Sequence, residues 1–174
     1  MHVQEWGTKG PWVIALHGGP AAPGSAAPIA RALSAQFRVL EPWQRGSGDE
    51  PLTVARHVDD LHELVASLGG VRPALVGESW GAMLALAYAA AHPGSAACLA
   101  LVGCGTFDTR ARARLHAILE ERASSELRTR LERLAEECPD PGEQLRHRYE
   151  LTRPLYSYDP VDDDYPYECP GPLD

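Results

Sequence analysis

Five residues constrain this chain more than any others. Gly77-Glu78-Ser79-Trp80-Gly81 joins Pro73 to Val76, apolar in Ala74, Leu75 and Val76, to a stretch from Trp80 to Ala91 that is apolar on nearly every face. The first segment predicts a buried strand and the second a helix packed on a sheet. Two glycines and a serine at these spacings occur often by chance, so the context carries the signal. At such a strand-to-helix turn the serine is held in a strained backbone conformation. Side chains at positions 77 and 81 would collide with neighbouring backbone, and the serine hydroxyl is pushed into the open.

The preceding residues supply the rest of a layered fold. Trp12 to Leu16 reads as a strand ending at His17-Gly18-Gly19-Pro20, Pro28 to Ala35 as a short helix, and Phe37 to Leu40 as a second strand. From Thr53, the residues Val54, Val58, Leu61, Leu64, Val65 and Leu68 recur at helical spacing, and Gly69-Gly70 supplies the stop. Cys98 to Val102 reads as a further strand, and His92-Pro93-Gly94 ends the helix before it. Strand alternating with helix predicts an α/β fold, a mostly parallel sheet flanked by helices with right-handed crossovers. Beyond Phe107 the alternation stops. Arg110 to Arg122 and Ser125 to Glu137 read as charged helices with narrow apolar stripes, followed by a helical piece near Gln144 to Tyr149. The expected division is a sheet core over residues 1–108 and a helical segment with an acidic, proline-rich tail over residues 109–174.

Composition excludes several function classes. The 174 residues carry a formal net charge of -8, and Asp159, Asp162, Asp163, Asp164, Glu168 and Asp174 crowd the tail. An acidic chain without a basic stripe argues against nucleic acid and against anionic membrane surfaces. No apolar run approaches the roughly 20 residues of a membrane helix, and Met1 to Trp6 lacks the pattern of a signal peptide, so the expected location is the cytoplasm. Cys98, Cys104, Cys138 and Cys169 form no C-x-x-C pair and have no histidine at zinc-finger spacing. They read as free, mostly buried thiols; no metal and no cofactor is expected, and oligomeric state leaves no mark on the sequence.

Ser79 lies where a strand ends and a helix begins, so unpaired N–H groups and the helix dipole favour negative charge developing there. This is the setting for acyl transfer. A tetrahedral oxyanion needs two fixed donors, and the candidates are the backbone N–H groups of Trp80 and Gly19. Losing one such donor costs about 3 kcal/mol, a factor of 10² to 10³ in rate. His17-Gly18-Gly19-Pro20 alone is only a glycine turn; with Ser79 on a following strand, each motif explains the other.

Taken together, His17-Gly18-Gly19-Pro20, Gln44-Arg45-Gly46-Ser47-Gly48 and Gly77-Glu78-Ser79-Trp80-Gly81, followed by Leu84-Ala85-Leu86-Ala87-Tyr88 and His92-Pro93, resemble the proline iminopeptidase branch of the α/β-hydrolases. The resemblance covers roughly residues 10–108. It departs from that branch at Trp43, where an aspartate is common, and at Glu78, where glycine is usual. It implies the N-terminal half of an α/β-hydrolase core and the start of a helical cap, within which this chain ends. It also implies a Ser-Asp-His triad whose acid and histidine follow later strands.

Within the chain, Asp108 is the candidate triad acid, since it follows the strand next to the turn, but Asp before Thr109-Arg110-Ala111 is also a good helix N-cap. His57 and His62 read as a solvated helix face, His17 as part of the oxyanion turn, and His92 as a residue remote from Ser79. His116 and His147 lie on charged helices, and His2 is terminal. Asp162, Asp163, Asp164 and Glu168 are candidate binders of a substrate amino group, set against the solvated charge run that such a stretch usually is. The expected activity is hydrolysis of small-molecule or short-peptide esters or amides through an acyl group on Ser79. A serine at this turn also argues against dehalogenase and epoxide-hydrolase chemistry, which in this fold uses an aspartate. The alternative is a catalytically incomplete fragment or a non-catalytic binding module lacking the triad histidine.

Overall fold

In the computed structural model, residues 1–19, 23–45 and 52–156 are described. They divide into two compact units, residues 1–105 and 106–156. The first unit is built on five strands: β1 (Val3–Trp6), β2 (Trp12–Leu16), β3 (Arg38–Pro42), β4 (Ala74–Glu78) and β5 (Cys98–Val102), in the spatial order β1-β3-β2-β4-β5. All neighbours run parallel except β1, which pairs antiparallel with β3. Three helices complete the unit: α1 (Ala27–Leu33), α2 (Val54–Ser67) and α3 (Trp80–Ala91). This is the expected α/β fold, a mostly parallel sheet flanked by helices.

Because successive residues of a strand face opposite ways, β2 feeds two cores at once. Ile14 and Leu16 pack with Leu40, Leu75 and the apolar faces of α2 and α3, through Val58, Leu61, Val65, Leu84, Ala85 and Tyr88. Val13 and Ala15 pack the other way with Val39, Ala26 and Ala30, the last from α1. Burial on both faces is why β2 reads as a continuous apolar run. The two edge strands differ from it. In β5, Leu101 and Val102 are 41% and 48% exposed.

The strand β1 has no counterpart in the sequence reading. Val3-Gln4-Glu5-Trp6 is short and half polar, and it is held by pairing with β3 rather than by a deep core. The other strands and helices fall within a few residues of their expected places. Thr53 caps α2, its hydroxyl accepting from the Arg56 N–H at 3.2 Å.

The second unit contains α4 (Thr109–Arg122), α5 (Ser125–Glu137) and α6 (Pro141–Tyr156). Asp108 and Ser124 cap the first two, and no residue of α4 is buried. The helical piece expected near Gln144 to Tyr149 is a 16-residue helix. Its start is set by Asp140, whose carboxylate accepts from the Glu143 N–H at 2.7 Å, with Pro141 where a missing N–H does no harm. The thiols need one correction: Cys138 is buried, but Cys98 and Cys104 are exposed, the first on an edge strand and the second just past it. Cys169 lies outside the described residues. Among those that are described, no helix is long and apolar enough to cross a membrane.

Candidate active site

After β2 the chain moves to β3 on one side and then crosses back to β4 on the other. A reversal of this kind opens a crevice at the C-terminal ends of the two strands beside it. The β2–β4 register pairs Leu16 with Gly77, so His17-Gly18-Gly19 and Glu78-Ser79 leave the sheet side by side. Ser79 takes φ 51 and ψ -110, the one positive φ outside glycine among the described residues. Holding a side chain there costs of order 1–3 kcal/mol, so the surroundings must impose it. They do so through two glycines. A Cβ on Gly77 would fall on the Gly81 carbonyl, and one on Gly81 would fall on the carbonyl of Leu16. The start of α3 is thereby seated directly on the end of β2, and Ser79 is exposed above the junction.

The two candidate oxyanion donors flank this serine. Trp80 is the first residue of α3, where a backbone N–H has no partner within the helix. Gly19 turns with φ 45 at the exit of β2. The amide of Ser79 itself is taken, donating to the Val102 carbonyl at 2.8 Å.

Gln44, two residues past β3, joins both sides. Its backbone N–H donates to His17 Nε2 at 2.9 Å, its side-chain NH₂ donates to the His17 carbonyl at 3.0 Å, and its Oε1 accepts from the Trp80 indole N–H at 2.7 Å. A donor on Nε2 fixes the tautomer: the proton is on Nδ1, which faces the Gly18 carbonyl at 3.1 Å. Burial pushes the His17 pKa below its ordinary value, against the pull of the Gly18 and Gly19 backbone. With both nitrogens engaged, His17 has none left to act as a base. The sequence reading quoted Gln44 within a motif but assigned it no role, because its partners lie 27 and 36 residues away.

His57 corrects an expectation. It is not on a solvated face but 3% exposed, its ring meeting the Trp80 ring edge-on with centroids 5.6 Å apart. Burial lowers its pKa; Asp60 opposes that and Arg45 adds to it. Arg45 and Asp60 form a two-pronged ion pair at 2.5 and 2.6 Å. The signal was present in the sequence, since position 57 lies on the stripe of Val54, Val58 and Leu61. His62 is exposed and stacks on His92 at 3.9 Å, at the far end of α3 from Ser79, and His2 lies against Trp43 at 4.4 Å. Within residues 1–105, His2, His17, His62 and His92 are thus held in these other contacts, and His57 meets the ring of Trp80, the residue after Ser79.

Glu78 was noted only as a departure from the resembling branch. Its Oε2 lies 3.7 Å from where a Gly18 Cβ would be, a point also 3.5 Å from the Ser79 Cβ. Among the described residues the Glu78 carboxyl has no hydrogen-bond or ion-pair partner, and burial alone pushes its pKa up. Asp108 belongs to the second unit, where its carboxylate accepts from the Arg110 N–H at 2.8 Å as the cap of α4. Pro20, Gly46, Ser47 and Gly48 and the acidic positions Asp162, Asp163, Asp164 and Glu168 lie outside the described residues. Among those described, no three His, Cys, Asp or Glu side chains gather as a metal site.

Comparison with curated proteins gives no match. Among solved structures, the chain is similar to a membrane phospholipase A described as a bacterial virulence factor, at 21% identity and TM-score 0.60, covering 88% of this chain and 57% of that one. It is similar to a marine microorganism esterase at 26% identity and TM-score 0.56, covering 84% and 61%. A third is a mutant epoxide hydrolase from Vigna radiata, at 32% identity and TM-score 0.51, covering 63% and 37%. The chain thus spans less than two thirds of the length of each. The model of the alpha/beta hydrolase fold family matches residues 11–162, and with that match and this topology the chain belongs to the alpha/beta hydrolase fold family.

Proposed function

We propose that this chain supplies the nucleophile and the oxyanion hole of a serine hydrolase acting on small esters or amides, aminopeptidase-like in taking short or amine-bearing substrates. Ser79 Oγ attacks the substrate carbonyl carbon. The amides of Gly19 and Trp80 donate to the carbonyl oxygen as it becomes negative, the leaving alcohol or amine departs with a proton, and water then releases the acyl group. The observation that carries this reading is the positive φ of Ser79 at the exit of β4, beside the Gly18-Gly19 turn. A serine at this point, rather than a carboxylate, favours ester or amide substrates over epoxides. The aminopeptidase-like preference rests on the motif resemblance and on the acidity around Asp162, Asp163, Asp164 and Glu168.

A second reading, a binding module without a base, is favoured by one observation: both ring nitrogens of His17, the histidine at the turn beside Ser79, are engaged. An active-site fluorophosphonate separates the two. Ready labelling of the purified chain, lost in Ser79→Ala, supports the enzyme and sinks the binding module. No labelling does the reverse.

A further inference from the structure

Nothing so far uses the carboxyl group next to the candidate nucleophile. Glu78 ends β4, one residue before Ser79, and its Oε2 and the Ser79 Cβ both lie within 3.7 Å of one point above Gly18. The two atoms are therefore no more than about 7 Å apart. The carboxyl is half-buried and has no partner among the described residues. Arg45, the cation of the His57 surroundings, is already paired with Asp60. A desolvated carboxylate without a counter-charge is unfavourable, and a bound cation would supply what the described residues do not.

We infer that Glu78 is a specificity-determining residue that selects substrates carrying a protonated amine within a few bonds of the reacting carbonyl. The inference rests on Ser79 being the nucleophile and assigns a substrate class to that site. Glycine at this position would leave the crevice indifferent to charge. A carboxylate favours a cation and opposes an anionic or purely apolar acyl group. Because the oxyanion forms beside it, an unpaired Glu78 also works against that charge, and a substrate ammonium between them relieves both.

The test uses two isosteric phosphonylating probes, ethyl propylphosphonofluoridate and ethyl 2-aminoethylphosphonofluoridate. In each, Ser79 Oγ attacks phosphorus, a P–O bond forms, the P–F bond breaks, fluoride leaves and the hydroxyl proton passes to solvent. Intact-mass spectrometry gives both rates as functions of probe concentration, and the quantity read is the ammonium-to-neutral ratio within each protein. The wild-type ratio is expected to be at least about tenfold, equivalent to about 1.4 kcal/mol. It should fall toward unity in Glu78→Gln through weaker half-saturation by the ammonium probe, and recover in part in Glu78→Asp. In the wild type it should also fall in about 1 M salt, where charges are screened beyond about 3 Å. A wild-type ratio near one, or a ratio that Glu78→Gln leaves unchanged, overturns the inference while leaving Ser79 as nucleophile. If Glu78→Gln reacts with neither probe, an insensitivity of the wild-type ratio to salt overturns it. Absence of labelling by both probes in the wild type overturns the nucleophile reading, and this inference with it.

Discussion

Replacing Gln44 by leucine keeps the volume and the backbone N–H to His17 Nε2, but deletes the side-chain amide that ties the His17 carbonyl to the Trp80 indole. Two groups lose their partners. The His17 carbonyl belongs to a residue with no exposure, so water cannot reach it readily, and leaving it unsatisfied costs about 1–3 kcal/mol. The Trp80 indole N–H is half-buried and can turn to water, so its loss is nearer the ordinary net value of about 1 kcal/mol. Leucine recovers part of this by burying apolar surface at a site only 5% exposed. The expected loss of stability is about 2–3 kcal/mol. Urea unfolding followed by tryptophan fluorescence should show it as a lower midpoint with an unchanged slope. The Ser79 fluorophosphonate rate should fall as well, by about 10- to 100-fold, because a loosened Trp80 misplaces one of two donors that are each worth 10² to 10³. A stability change below about 0.5 kcal/mol would mean that neither group depends on Gln44. Full labelling in a destabilised variant would confine Gln44 to the fold.

Three further outcomes follow from the same geometry. Ser79→Gly should remove labelling yet raise unfolding stability by about 1 kcal/mol, since glycine adopts φ 51 without strain; equal or lower stability would contradict strain at the turn. Gly81→Ala should lose about 3 kcal/mol or fail to fold, because its methyl group meets the Leu16 carbonyl; thermal unfolding close to wild type would contradict that seating. The pH profile has two opposing parts. His17 and His57 have pKa values lowered from 6.5 by burial, so the unfolded chain binds protons first, and their contribution is full above about pH 6.5 and lost on acidification. Glu41 and Glu78 have pKa values raised from 4.5 by burial, so their contribution is full below pH 4.5 and lost as pH rises through the folded value. Glu41→Gln should therefore gain stability relative to wild type between pH 4.5 and 8 in urea titrations, and a flat difference would remove Glu41 from the account.

Much of the fold was legible because the interior strands are buried on both faces and so announce themselves as apolar runs, as in Trp12 to Leu16. The edge strand β1 announces nothing: Gln4 and Glu5 interrupt it, and its pairing with β3 is a contact over more than thirty residues. The serine turn was legible because Gly77 and Gly81 are local steric requirements. The Gln44 bridge was not, since a glutamine after a strand gains its meaning only from groups brought together by the β2–β3–β4 crossing. His57 lay on a readable stripe but was assigned by residue type, and its polarity outweighed its position. Cys98 and Cys104 show the reverse bias, apolar by type and exposed by place at the sheet's edge.

The hydrogen bond from Ser79 to Val102 ties the turn to the last residue of β5, a strand paired on one side only among the described residues. Edge strands open in local fluctuations more often than interior ones. Whenever the end of β5 frays, Ser79 loses the anchor of its amide while Gly77 and Gly81 still hold the strand and helix around it. The lifetime of the serine's working posture is therefore governed by the slack of the sheet's margin. Any polypeptide that pairs with β5 would lengthen that lifetime without touching the crevice.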